Sequence, residues 1–588
     1  MAAQRAYTTH PLVLRRVTVR RVHDVTPRMR RVVLGGDRLA AFTHDGIDHP
    51  PFAAPGFDDH IKLILAADGD IRAALPAQLP HGIEWTPAEH RLTRDYTPRR
   101  VDLDAGELHL DFVLHGEGPA ESWAASAREG DELWFVGPKS SLRLPDRLDW
   151  IFLIGDETAL PAIGRFLDER PLDATAHVLV TVSDESARQE LALRDGDTIT
   201  WVVAEPGDAA ALDAAVRALP EPAGEGYAWA AAESRALLPV RRYLQRERKL
   251  PKDRLNITGY WHREEAAAPE SQDTAAAVTA GGGTPSPLPW LVVRAALQLG
   301  VVDAVADAPG LSPAALATRV GVPGPGIGVL LPLLAAHGVV VGVDDGAGLR
   351  LGPAGEELLD DHEREEYTGH EAELLLALTH LAPALRDGTS AWRLATGTSL
   401  HDTVTHDADR YGELVEECEQ LVFLLNGLTA DPLWEDVETC LLTGPGSASV
   451  VAALDDAGRR PRLRIAEDDT PATVLRGHVP APERIDWTAG PADVAVAAKA
   501  LAHRTDHEAT RLLTQLAAWT GTAVLVEASR PDGLSPHATE AAVRAYAATG
   551  SPLRDSAAIA AIAERAGWHV DRTIALGWGA EATVLRRT

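Results

Sequence analysis

An arginine, a tyrosine and a threonine fall within four residues at Arg94-Asp95-Tyr96-Thr97, between a proline-bounded loop and a strand. Read as alternating positions of an extended segment, they project to one side. That side carries a cation for a phosphate, a ring to stack on a flat heterocycle, and a hydroxyl for a ring nitrogen. A flavin nucleotide needs all three. Arg-x-Tyr-Thr also occurs on ordinary surface strands, so the neighbouring segments carry the weight. His115-Gly116-Glu117-Gly118-Pro119-Ala120-Glu121-Ser122-Trp123 ends one strand and opens a helix. Its glycines permit close backbone approach, and free N–H groups at a helix start attract phosphate. Gly137-Pro138-Lys139-Ser140 offers a second polar turn. Gly155-Asp156-Glu157-Thr158-Ala159-Leu160-Pro161-Ala162 sits at the carboxyl end of the apolar run 150–154, where open α/β sheets bind nucleotides.

These segments need two kinds of scaffold. Short β-rich runs at 13–19, 29–34, 60–65, 107–114 and 132–136, separated by Gly, Pro and Asp turns, predict an antiparallel β-barrel with one helix near 119–128. From residue 150 the pattern changes to apolar strands (150–154, 177–182, 198–203, 227–231) alternating with helices, as in a parallel α/β sheet. Residues 264–289, rich in Ala, Ser, Thr and Gly, read as a linker. Beyond it, helical segments at 291–306, 312–320 and 327–337 precede two short strand-like runs, at 339–343 and 349–351, that form a small wing. Helices dominate to 428, and strands and helices alternate from 437. The predicted domains are therefore 1–147, a barrel; 148–264, an α/β nucleotide-binding domain; 265–289, a flexible linker; 290–430, a winged-helix-like and helical region; and 431–588, a Rossmann-like α/β domain.

The 588 residues exceed what one core organises. The net charge of −30 argues against nucleic acid or an anionic membrane surface as a general partner. Cys418 and Cys440 are the only cysteines, with no CxxC pair, which excludes a disulfide framework, a cysteine zinc site and an iron–sulfur cluster. No apolar run approaches about 18 residues, and the start of the chain lacks an apolar signal core, so a soluble, cytoplasmic protein without membrane insertion is expected.

Residues from about 12 to 263 resemble the siderophore-interacting proteins, flavin-dependent ferric-siderophore reductases of the ferredoxin-reductase superfamily. The resemblance rests on Arg94 to Arg99, His115 to Ala124, Gly155 to Ala162, Trp229-Ala230-Ala231-Ala232-Glu233 and Gly259-Tyr260-Trp261. It implies FAD and a nicotinamide donor, NADPH or NADH. By it, Arg94 holds an FAD phosphate, Tyr96 packs on the flavin, and Thr97 bonds near the reactive nitrogen. Gly118 and Ser122 cradle the pyrophosphate, with His115, Gly137 and Ser140 around the same cofactor. Asp156, Thr158, Ala159 and Glu233 line the nicotinamide nucleotide site. Ala232 stands where the family has Gly, and His262 where it has Arg. Arg235, Arg241 and Arg242 read equally as a 2′-phosphate site or as a solvated helix face. The flavin carries the chemistry, so no side-chain nucleophile is required. Lys62, Arg143 and Arg263 are the candidate cations for an anionic ferric siderophore.

Residues 290–588 resemble the dimeric small-molecule O-methyltransferases, through the opening helix 291–303, Leu311 to Ala317, Leu394-Ala395-Thr396-Gly397 and Leu441-Leu442-Thr443-Gly444-Pro445-Gly446. This implies a dimerisation region before a Rossmann-like domain. Leu442 fills the position of the acid that ends the family's first strand, and Ala448 replaces the third glycine of the S-adenosylmethionine loop. Both departures count against that cofactor, although Asp469 keeps a ribose-binding acid and His503 stands at the place of a catalytic base. The half reads as a degenerate module for dimerisation or ligand contact. A biosynthetic or bifunctional methyltransferase, and a siderophore-binding protein without turnover, are the alternatives.

Overall fold

A computed structural model describes residues 7–67, 69–88, 90–114, 118–262, 286–343, 348–535 and 538–588. His115, Arg263 and the expected linker as far as residue 285 lie outside the described residues. The first lobe is a curled antiparallel sheet of seven strands, in the order Pro98–Asp102, Glu107–Val113, Met29–Gly35, Leu14–Thr26, Glu132–Val136, Ile61–Ala66, Arg91–Tyr96. Its two end strands are consecutive in the chain, with Thr97 alone between them. Val17, Val19, Val32, Leu34, Leu133 and Phe135 alternate inward and fill the concave face. The second strand runs on to Thr26, past the expected end at 19. Bulges at Val19/Arg21 and Asp24/Thr26 let it bend around the lobe, and Arg21 meets Glu107 at 2.6 Å on the outer face.

The second lobe is a five-stranded parallel sheet, ordered Thr198–Val203, Thr175–Val182, Trp150–Gly155, Gly226–Glu233, Leu255–Trp261. Helices bury both faces, so strand 150–155 is buried at every position. A methyl group on Gly155 would lie 2.5 Å from the Ala231 carbonyl oxygen and collide with Ala159, so this turn tolerates no side chain.

In the second half of the chain, helices 288–336 precede the two-stranded wing Val340–Val341 and Arg350–Leu351. The terminal sheet has six strands, ordered Arg462–Ile465, Thr439–Thr443, Val494–Ala498, Thr522–Ala528, Ala580–Arg587, Trp568–Gly577. The first four are parallel and the last two antiparallel to their neighbours. Outside Arg462–Ile465, among the described residues, a single parallel bridge joins Arg464 to Asp486. Among the described residues no single helix is long and apolar enough to cross a membrane.

The two halves are docked. Ile83 and Trp85 pack with Leu534 and Trp578, the two tryptophan rings lying 6.2 Å apart edge to face. Glu84 accepts from Arg530 at 3.0 Å and from the Gly579 N–H at 3.3 Å. Glycines allow the chains to touch: a side chain on Gly533 or Gly577 would run into the carbonyl oxygens of Trp85 and Ile83.

Candidate functional site

Strand Arg91–Tyr96 pairs in register with Ile61–Ala66, which places Arg94 opposite Leu63 and Tyr96 opposite Ile61. Arg94 and Tyr96, two residues apart, share the concave side. Thr97 follows Tyr96 directly and does not share that face, contrary to the alternating reading of the motif. It is buried where the chain turns into the next strand, and its hydroxyl is hydrogen-bonded to that of Tyr260 in the α/β lobe. The motif therefore spans the seam between the lobes instead of presenting three groups in a row. The Tyr96 and Phe112 ring centres lie 4.4 Å apart and those of Phe112 and Trp123 5.7 Å apart, both pairs tilted. Trp123 belongs to helix Pro119–Ser126, so an aromatic ladder ties the arginine strand to the helix.

Gly118 caps that helix in an extended conformation, and none of the described residues lies within 4 Å of where a side chain would stand. Ser122 is exposed one turn in. Arg94 is exposed, donates to the Thr93 carbonyl at 2.8 Å, and meets no carboxylate among the described residues. An uncommitted guanidinium, a ring at the lobe seam and an open helix start fit a nucleotide with a flat ring system. Gly137 has a φ of +103°, a backbone conformation suited to glycine, and turns the chain beside the His60 carbonyl. Ser140 pairs with Thr9 in a short outer ribbon.

The expected nicotinamide residues come together as a saturated knot. Asp156 accepts from the Thr158 N–H at 2.9 Å, the Thr158 hydroxyl at 2.5 Å, the Glu233 N–H at 3.1 Å and Trp261 Nε1 at 2.7 Å. Burial pushes its carboxyl up, and these donors oppose the shift. Glu233 is itself buried, accepts from the Ala236 N–H at 2.8 Å and lies 3.6 Å from His262. Ala159 is fully buried in the same turn. The knot ties the strand ends together, and its carboxylates point at the protein.

Of the cations expected for siderophore, Lys62 and Arg143 share no partner among the described residues. Lys62 points away from Arg94 and binds Asp95 at 2.8 Å. Arg143 is exposed and faces Asp456 of the second half. Arg263 is outside the described residues. Arg235, Arg241 and Arg242 pair with Glu357, Asp360 and Glu356 near the wing, the last at 2.6 Å.

Sequence reasoning set Lys139 in a polar turn but passed over its contact with the second half, where the ammonium reaches Gln420 at 3.0 Å and lies 5.0 Å from the Phe423 ring centre. It also passed over Asp58-Asp59-His60, whose doubled carboxylate before a strand is the signal available in the sequence. Asp58 accepts from Trp229 and Asn256, both at 3.0 Å, and so joins the two lobes. Asp59 accepts from the Gly56 N–H and the Ser141 hydroxyl, both at 2.8 Å, while its Oδ1 is buried without a partner among the described residues. His10 Nε2 lies 2.7 Å from the Ser141 oxygen.

Burial pushes the Asp59 carboxyl up to about 7. Between about pH 4 and 7 the folded chain thus holds a proton that the unfolded chain has released, and this group's contribution to stability falls as pH rises through that window. Asp59→Asn is expected to melt about 2 °C above the parent at pH 8 and level with it near pH 4. Thermal melts followed by circular dichroism across that range check the sign.

In the second half, Glu467 curls onto the glycine loop, accepting from Thr443 Oγ1 at 2.7 Å and from the Gly444 N–H at 2.5 Å. Asp469, the acid expected there, begins the following helix instead. Leu442 is fully buried, and a side chain on Gly446 would press on Leu421 at 2.9 Å. His503 is buried, its pKa held well below the usual histidine range by desolvation, and its Nε2 receives Arg504 at 3.2 Å. The loop's donors are spent internally, the cradle does not fit S-adenosylmethionine, and no methyl-transfer step is derived.

Residues 18–142 match the siderophore-interacting FAD-binding domain, and residues 148–264 the siderophore-interacting protein domain. The NADPH-dependent ferric-chelate reductase of Escherichia coli (strain K12) is 32% identical over 254 residues, covering 43% of this chain and 94% of that protein. The chain belongs to the siderophore-interacting protein family. The ferric vibriobactin reductase of Vibrio cholerae is 30% identical over 243 residues, covering 41% of this chain and 86% of its own length. An O-methyltransferase from neocarzinostatin biosynthesis is 20% identical with a TM-score of 0.41, covering 52% of this chain and 97% of that structure.

Proposed function

We propose that the first half is an FAD-dependent reductase that passes electrons from NADPH to a ferric siderophore and releases ferrous iron. The second half is an appended methyltransferase-like module for dimerisation or ligand contact, in the cytoplasm. In this reading residues 1–147 form the FAD-binding barrel and 148–264 the NADPH domain. Residues 290–430 form the winged-helix and helical region, and 431–588 the Rossmann-like domain. The observation that carries the reading is the uncommitted Arg94 guanidinium on a strand that Tyr96, Phe112 and Trp123 tie to helix Pro119–Ser126, within a span that matches the family's FAD-binding domain. The two named relatives are reductases of ferric chelates, which supports the same substrate class.

FAD, when bound, takes a hydride from the nicotinamide and gives out electrons singly, so one donor serves two ferric ions. The chain's own groups bind and orient. Arg94 and the N–H groups after Gly118 neutralise phosphate, and Tyr96 braces the ring system. Thr97, held by Tyr260, fixes the angle between the lobes. The Asp156–Glu233 knot holds the strand ends where the donor nucleotide enters. Ferric iron loses affinity for hard oxygen ligands once its charge falls, and the substrate then opens.

The test is an anaerobic titration: NADPH should bleach the flavin absorbance, and a ferric siderophore should restore it while a ferrous chelator captures iron. A preparation that binds ferric siderophore without bleaching would instead be a binding protein. Because Arg235 and Arg241 are engaged with Glu357 and Asp360, Arg235→Ala is expected to leave the NADPH-to-NADH ratio of kcat/KM nearly unchanged. A larger loss specific to NADPH would assign these arginines to the 2′-phosphate.

A further inference from the structure

The helical region of the second half holds a side-chain constellation that neither flavin nor methyltransferase chemistry uses. His370 opens helix His370–Ala377, and its side chain is 5% exposed. Glu413 Oε2 accepts the His370 backbone N–H at 2.8 Å and meets the ring Nδ1 at 2.9 Å. That contact fixes the proton on Nδ1 and leaves the Nε2 lone pair directed away from Glu413. Nε2 faces Glu371 Oε1 at 3.6 Å and Glu417 Oε1 at 3.4 Å, and the three ligand atoms lie within 4.8 Å of one another. Both separations exceed an N–H···O hydrogen bond, about 2.7–3.2 Å. A cation bound tetrahedrally at about 2.1 Å by nitrogen and oxygen sets neighbouring ligand atoms about 3.4 Å apart. The two separations from His370 Nε2, 3.6 and 3.4 Å, are close to the edges of such a tetrahedron.

The surroundings hold this geometry. The other oxygen of Glu371 is taken by Arg544 at 2.7 Å, which turns Oε1 towards His370. A carboxylate behind the distal nitrogen of a ligating imidazole is the arrangement that fixes and strengthens metal-bound histidines. The Glu371 and Glu417 side chains are 47% and 53% exposed, so an ion reaches the group from solvent.

We propose that His370 Nε2, Glu371 Oε1 and Glu417 Oε1 form a site for one divalent transition-metal cation, with solvent completing the coordination. One imidazole and two carboxylates suit Zn2+, Fe2+, Mn2+ or Co2+, and their two negative charges balance the ion. The competing state is a protonated His370 held by the same carboxylates, which binds no metal.

The experiment uses the full chain, stripped with a chelator, dialysed and titrated with Co2+. The expected result is one equivalent bound per chain, with the visible absorption of a low-coordinate site, displaced by Zn2+. Glu417→Gln and His370→Ala should each weaken binding by about 100-fold, and Glu413→Gln by about 10-fold or more. Should His370→Ala fail to fold, Glu417→Gln and Glu371→Gln decide the matter, because both alter only half-exposed side chains. Absence of a one-equivalent step, or binding unchanged in the carboxylate variants, overturns the proposal. Flavin content is recorded in parallel; neither outcome depends on it.

Discussion

Replacing Arg94 with alanine should yield a folded protein that has lost its flavin. The side chain is exposed and, among the described residues, bonds to the neighbouring Thr93 carbonyl, so far-ultraviolet circular dichroism should match the parent. A charge-assisted bond to phosphate is worth about 1.5–3 kcal/mol, which weakens FAD binding about 10–100-fold. Arg94→Lys should recover part of this, since lysine restores the charge without the fork of donors. Flavin released on denaturation and quantified per chain is the measurement. A content equal to that of the parent would remove Arg94 from the site.

Gly533→Val should separate the two halves of the molecule while leaving each folded. The new side chain would collide with the Trp85 backbone carbonyl, a group that has no alternative rotamer. Relief requires backbone movement at a packed boundary, with a cost of about 3 kcal/mol. Small-angle scattering should report a larger radius of gyration, and amide exchange should rise around Ile83 and Trp85. Gly521→Ala is the control, because nothing lies within 4 Å of its added methyl. An unchanged scattering curve for Gly533→Val would mean that the contact between the halves does not persist in solution.

Much of the local structure was legible from period alone. Strands Glu132–Val136 and Thr198–Val203 and helix Leu160–Glu169 end where alternation or helical spacing ends. Strand Leu255–Trp261 escaped that reading although Gly259-Tyr260-Trp261 was marked, because Asn256 and Thr258 interrupt its apolar run. Asn256 is buried with its amide donating to Asp58, 198 residues away. The candidate site shows the same division. Arg94 and Tyr96 could be placed on one face from a two-residue spacing. The turn at Thr97, the fourfold use of Asp156 and the return of Glu467 onto its own loop depend on tertiary partners that no spacing encodes. The arginines after Glu233 were read with two meanings, solvent or phosphate, and the structure supplies a third in the acidic residues beside the wing.

The tryptophans and glycines at the boundary between the halves also bear on energetics. Where backbones touch and aromatic rings interleave, loosening one side strips apolar cover from the other. Heating should therefore find the melting of the two halves coupled, and a nucleotide held more than 300 residues upstream of the terminal sheet should raise the temperature at which that sheet melts, by the ordinary mass-action rule that whatever binds the native state stabilises all that unfolds with it.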